Sequence, residues 1–177
     1  MLRILFVLGV FLVSTFVGWM ATNEAIPRVI MSKAMSAMAE TGDGVNSMTA
    51  RPPTDPFKPS IVRPSPDLLY STCVFDLSDG RVAVRIGETD GYLSIGFFDT
   101  VTNNFKTFTS DDLDSADDLM VISNANDDPL PASPNILPVS SPTARGVALI
   151  RRRISNDDRL AEMQKAQAQD ECFPFEG

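Results

Sequence analysis

From Ile4 to Ala21 every residue is apolar except Ser14 and Thr15. A run of about 18 such residues is near the minimum that crosses a bilayer core as a helix. Arg3 and the amino terminus precede it, and Trp19 sits near its far end, where aromatic residues anchor a span. A cleaved signal peptide needs small residues one and three places before the cut. Cuts after Ala21, Ala25 or Gly18 would put Trp19, Asn23 or Phe16 at the third place. The run is therefore read as an uncleaved signal anchor over residues 1–22. Arg28 and Lys33 lie beyond it, so the charge rule gives little help with orientation.

The chain carries a formal net charge of -8, which repels phosphate backbones and excludes nucleic acid as a partner. It contains no histidine. That removes the commonest general base and every Ser/His or Cys/His dyad. Acidity and an even cysteine count fit an exported domain. The expected placement is a single-pass inner-membrane protein, N-terminus cytoplasmic and domain periplasmic.

Residues 23–44 are read as a juxtamembrane helix, with Ile26, Val29, Ile30, Ala34, Ala37 and Met38 on one stripe. It is expected to pack on its own domain or lie along the bilayer. A sharper reading makes Met31, Met35 and Met38 contacts to a partner. Residues 45–60 open a stretch holding Pro52, Pro53, Pro56 and Pro59, followed by Pro64 and Pro66. Such density favours an extended spacer.

The globular domain is placed at 61–177. Strands are expected over Leu68–Leu77, around Val82, Val84 and Ile86, over Tyr92–Phe98 and over Phe105–Phe108. Ser78-Asp79-Gly80, Asp90-Gly91 and Thr102-Asn103-Asn104 supply turns, so the pattern predicts an antiparallel meander. Asn124–Pro142 reads as loop, with a brief apolar piece at Ile136-Leu137. Val147–Ile154 is the last predicted strand. Ser155 and Asp158 form a capping box for a helix running to about Ala168, with Cys172 in the tail. The fold class is α+β: a mostly antiparallel sheet, meander or sandwich-like, with flanking helices and one N-terminal transmembrane helix.

Pro66-Asp67-Leu68-Leu69-Tyr70-Ser71, followed by Phe75-Asp76-Leu77-Ser78-Asp79-Gly80, resembles the N-x-D-T-L-Y-S and D-L-S-x-G-P pieces that open the bacterial domain-of-unknown-function 1254 family. Asp90-Gly91-Tyr92, the segment Asp99–Phe105 and Ser141–Gly146 running into Ile150-Arg151-Arg152 resemble its later pieces, in the same order. Ser65, Leu68, Arg81 and Leu93 depart from the long members, and in this the chain is closer to short, membrane-anchored ones. Long members carry a second, mostly β, C-terminal domain. The resemblance implies a stand-alone first module that a separately encoded β-rich membrane protein completes. It implies no activity.

Candidate sites follow. Cys73 and Cys172 are expected to form a disulfide tying the tail to the first strand. Asp67, Tyr70 and Asp99 recur in the family-like motifs and form the alternative acid/base or ligand-binding set, if they converge. Asx turns at Asp76 and Asp99 and a turn cap at Asp67 are the structural reading. Asp111, Asp112 and Asp114 offer oxygen ligands to calcium, but the order lacks an EF-hand loop, and a solvated loop is the stronger reading. Arg151-Arg152-Arg153 alternates across the strand and is expected to pair internally, with Asp157, Asp158 or the Asp111 region. No cofactor is implied. The expected role is a non-catalytic interaction or structural subunit; the alternative is a half-site built on Asp67, Tyr70 and Asp99.

Overall fold

In the computed structural model, which describes residues 2–55, 64–88, 91–113, 118–130, 133–154 and 159–176, the N-terminal apolar run and the helix after it are one element. Helix α1 spans Leu2–Thr41 without a break, through Pro27. At 1.5 Å per residue it is about 60 Å long. It is long and apolar enough to cross a membrane, and its first half contributes only exposed side chains.

The last part of α1 belongs to the domain. Met31 and Met35 are buried against Val74 and Val147, with Met38 and Phe98 packed alongside. The packed stripe is thus Met31, Met35 and Met38, three and four residues apart. Ile26, Val29 and Ile30, on the stripe expected to pack on the domain or lie along the bilayer, are half or more exposed and make no domain contact of that kind. The methionines serve this intramolecular contact, where an unbranched side chain fills an irregular gap.

Among the described residues nine strands follow: β1 (Met48–Ala50), β2 (Leu68–Asp76), β3 (Arg81–Arg85), β4 (Leu93–Phe98), β5 (Asn104–Thr109), β6 (Leu119–Asn124), β7 (Ile136–Ser141), β8 (Arg145–Arg153) and β9 (Glu171–Phe175), with helix α2 (Leu160–Gln167) before the last. They form two sheets, ordered β1-β2-β8-β4-β5 and β7-β6-β3-β9. All pairings are antiparallel except β6 with β7.

The fold is the expected α+β class, mostly antiparallel, and takes the sandwich-like form: two sheets rather than one consecutive meander. Only β4–β5 behaves as the predicted hairpin. The Ser78-Asp79-Gly80 turn, with Gly80 at φ 137°, carries the chain from β2 in one sheet to β3 in the other. Three strands occupy stretches read as spacer, loop or tail. β1 lies in the proline-rich segment just before Pro52, β7 contains Pro138 and β9 contains Pro174. All three are edge strands, the places where a sheet tolerates short strands and proline. The turn at Asp90 and the capping box at Ser155 and Asp158 fall outside the described residues.

The main core lies between the sheets. Cys73, Phe75, Ile95, Phe97 and Ile150 from one meet Val82, Val84, Met120, Ile122 and Val139 from the other. Strand β2 is buried on both faces, because α1 covers its outer side. This explains its near-continuous apolar composition.

Candidate functional site: a buried arginine–aspartate clasp beside an open groove

Strand β8 sends Ala148, Ile150 and Arg152 to the same face. The first two join the core, so the third must enter it as well. Arg152 is 1% exposed and the Asp170 side chain is fully buried. A guanidinium can be held there only by a carboxylate with matching geometry. Asp170, in the turn between α2 and β9, supplies it: Nη1 and Nη2 of Arg152 donate to its two carboxylate oxygens.

The carboxylate accepts two further bonds, from the Ser71 hydroxyl at 2.7 Å and the Gly87 amide at 3.0 Å. Arg152 Nη2 also donates to the Gly87 carbonyl at 3.1 Å. Gly87 is required by this close approach: a Cβ there would collide with the carbonyl oxygen of Ala166. One residue beyond, the Gln167 amide donates to the carbonyls of Arg51 at 3.0 Å and Tyr70 at 2.8 Å. The cluster draws on both sheets and on α2. Its single buried side-chain atom without a partner among the described residues is Arg152 Nε.

Two residues after Asp170, Cys172 is bonded to Cys73, with Cα atoms 6.3 Å apart. The bond joins β9 of one sheet to β2 of the other. A groove of about 450 Å³ opens beside this point, lined by Ser47, Met48, Asp170, Glu171, Cys172 and Phe173. It lies between edge strands β1 and β9; the Asp170 carboxylate itself is fully buried, its oxygens engaged by four donors.

Asp67, Tyr70 and Asp99, the alternative set, are not brought together. Tyr70 pairs with Arg151, whereas Phe98, just before Asp99, pairs with Val147. Asp99 is thus about five residues along β8 from Tyr70, roughly 17 Å. Asp67 is further still, its carbonyl accepting from the Ile154 amide. Each has a local role or position. Asp67 is exposed. The Tyr70 hydroxyl accepts from the Ser65 amide at 2.9 Å. The Asp99 carboxylate accepts from the amides of Val101 and Asn103 and from the Asn103 side chain. It thereby holds a turn in which Thr102 adopts φ 71°.

Asp76 closes the opposite end of β2. Its carboxylate accepts from the Ser78 amide and hydroxyl and faces Arg145 Nε at 3.1 Å. The Ser78 hydroxyl bond, with the Ser78 amide and the Arg145 charge, outweighs partial burial and lowers its pKa. Asp112 accepts from the Thr109 amide and hydroxyl at 2.8 Å, and these bonds lower its pKa. Asp111 shares the short 3-10 turn Ser110–Asp112, and Asp114 lies outside the described residues. Among the described residues, no three His, Cys, Asp or Glu side chains cluster as a metal site would require.

The Arg152–Asp170 pair is the feature that sequence reasoning half-missed. Alternation separated Arg152 from its neighbours but assigned its partner to the wrong acids. Asp157 and Asp158 lie outside the described residues, and Asp170 answers Arg152 instead. The available signal was parity: an arginine in phase with Ala148 and Ile150 needs a buried carboxylate.

The arrangement has counterparts. The VPA0106 protein of Vibrio parahaemolyticus matches with a TM-score of 0.66 at 14% identity, over 87% of this chain and 37% of that one. An uncharacterised protein from Burkholderia cenocepacia matches with a TM-score of 0.51 at 17% identity, over 82% of this chain and 40% of that one. These likenesses show the fold. The chain spans about two-fifths of the length of these structures. No curated protein matches. The family model for the protein of unknown function DUF1254 matches residues 45–174, from just before β1 into β9. The chain belongs to the DUF1254 family.

Proposed function

We propose that this protein is a non-catalytic interaction or structural subunit, anchored in the inner membrane by α1 with its domain on the periplasmic side. Its partner is a separately encoded, β-rich membrane protein of the kind that forms the second domain of long family members. The observation that carries this reading is the inward engagement of the motif residues. Asp76, Asp99 and Arg152, the last through Asp170, bind the chain to itself, and Asp67, Tyr70 and Asp99 stand apart along the sheet.

Three further facts support it. The first half of α1 exposes Leu5, Phe6, Phe11, Phe16 and Trp19, as a lipid-facing span would. The Cys73–Cys172 bond suits an oxidising compartment. Most of each structural neighbour's length lies outside the match. The test is a mild-detergent pull-down of the tagged full-length protein from its native membranes, with mass spectrometry of co-purifying chains. A stoichiometric β-rich membrane protein is expected. Recovery of the protein alone would sink the subunit reading.

A further inference from the structure

The continuity of α1 fixes how far the domain stands from the bilayer. If Arg3 flanks the span, the hydrocarbon core begins at Ile4, and its ~30 Å take about 20 residues, ending near Asn23. The headgroup zone adds roughly 5–8 Å on each side. At 1.5 Å per residue this zone contains Ile26 and reaches about to Val29. Sliding the span outward would draw Arg3 into the core, and sliding it further into the bilayer would draw in Glu24 and Arg28.

The faces of α1 match these depths. Ile26, Val29 and Ile30 are 50%, 52% and 58% exposed, although all three are large and apolar. Met31, the next residue, is 8% exposed and packs on the domain with Met35. Around the helix axis, Val29 points nearly opposite to Met31 and well away from Met35. Glu24 and Arg28, paired at 2.6 Å, mark the same zone with polar groups. An apolar face that continues the span alongside a first pair of charges and stops where domain packing begins is what an interfacial helix turn presents.

We infer that the lipid headgroup layer covers Ile26 and Val29, so that the domain begins at the membrane surface, at Met31, with no intervening stalk. The occupant is the bilayer rather than a second copy, because the face is continuous with the span. The inference rests on the membrane-anchor reading above.

The test uses Trp19, the single tryptophan, and full-length protein in phosphatidylcholine vesicles. Nitroxides are placed either at mid-acyl chain or on the headgroup. Native Trp19 reports the span, and Trp19→Phe/Val29→Trp reports the interface. Trp19 fluorescence is expected to fall at least twofold with acyl-chain nitroxide. The Val29→Trp variant is expected to fall similarly with headgroup nitroxide and to resist aqueous iodide. Trp19→Phe/Lys33→Trp, four residues outward, is expected to be open to iodide. Iodide quenching at position 29 without nitroxide quenching, Trp19 still responding to acyl nitroxide, would overturn the inference and leave the anchor intact. Protection at position 29 from both quenchers would also overturn it, in favour of a second copy or protein partner. A Trp19 that ignores acyl-chain nitroxide would remove the anchor reading itself, and the inference with it.

Discussion

Asp170 and Cys172 stand two residues apart at the C-terminal end of the chain, and each is fixed to a different strand of the opposite sheet. Asp170 binds Arg152 at the end of β8, and Cys172 binds Cys73 in the middle of β2. The last strand is therefore held twice. One fastening is covalent and closes a sequence separation of 99 residues; the other is ionic and closes only 18.

The covalent fastening acts chiefly on the unfolded chain. A loop of this length is worth up to about 4.7 kcal/mol in the chain-entropy model, and losing a native disulfide typically costs about 2–5 kcal/mol. The double variant Cys73→Ala/Cys172→Ala is expected to melt well below the native protein in detergent, and the native protein is expected to fall similarly when reduced. Intact mass before and after reduction and alkylation checks the bond. An unchanged melting temperature in the variant would mean that the ionic fastening suffices.

The ionic fastening predicts an asymmetry. Arg152→Met leaves the Asp170 carboxylate buried without its counter-charge, which costs about 3–5 kcal/mol. For a chain of this size that lowers the melting temperature by roughly 10 °C. Asp170→Leu strands the guanidinium in the same way. The double variant Arg152→Met/Asp170→Leu removes both charges and is expected to recover part of the loss. Thermal melts of the four proteins form a double-mutant cycle. A double variant as unstable as the sum of the singles would show that the two residues act independently.

The clasp also shows what the sequence discloses and what it withholds. Alternation along β8 reveals that Arg152 points away from Arg151 and Arg153. It does not reveal which acid answers, because that depends on how α2 and β9 return to the sheet. The same limit hid the sheet order: Ser78-Asp79-Gly80 has the composition of a hairpin turn, yet it joins two sheets. Strands β1, β7 and β9 escaped because they are short or carry Pro138 and Pro174, and local propensity argues against each. The disulfide was legible, since the chain has two cysteines. The separation of Asp99 from Tyr70 was not, because motif order says nothing about which end of a sheet a residue occupies.

Asp76 gives the pH dependence a sign. Its folded pKa is lowered from 3.8, first by the Ser78 hydroxyl. A depressed carboxylate contributes stability above its unfolded pKa and loses it as pH falls through the folded value. The contribution is therefore intact near neutrality, begins to decline as pH approaches 3.8 and is lost below that. Asp76→Asn, which keeps the shape but not the charge, is expected to flatten the fall in melting temperature between about pH 5 and pH 2. The check is a pair of melting profiles against pH. Parallel profiles would mean that other carboxylates carry the acid sensitivity.

The packing of α1 on the domain gives the last prediction. The contact is small: Met31 and Met35 on Val74 and Val147, bordered by Met38 and Phe98. Met35 is the more buried methionine, at 3% exposed. Truncating a buried methionine costs about 2–5 kcal/mol in a full core. Here the neighbours are few and can settle inward, so the lower end is expected. The loss should also be local. The main core, the clasp and the disulfide lie on the other side of the β2–β8 pair, and Met35→Ala leaves them untouched. Hydrogen exchange should therefore rise in α1 from about Met31 to Thr41 and in the β1 amides, with little change in β3 and β6. Met35→Leu, which keeps the volume, should leave exchange near native. A uniform rise across both sheets in Met35→Ala would mean that α1 is an integral part of one cooperative unit rather than an element docked on its face.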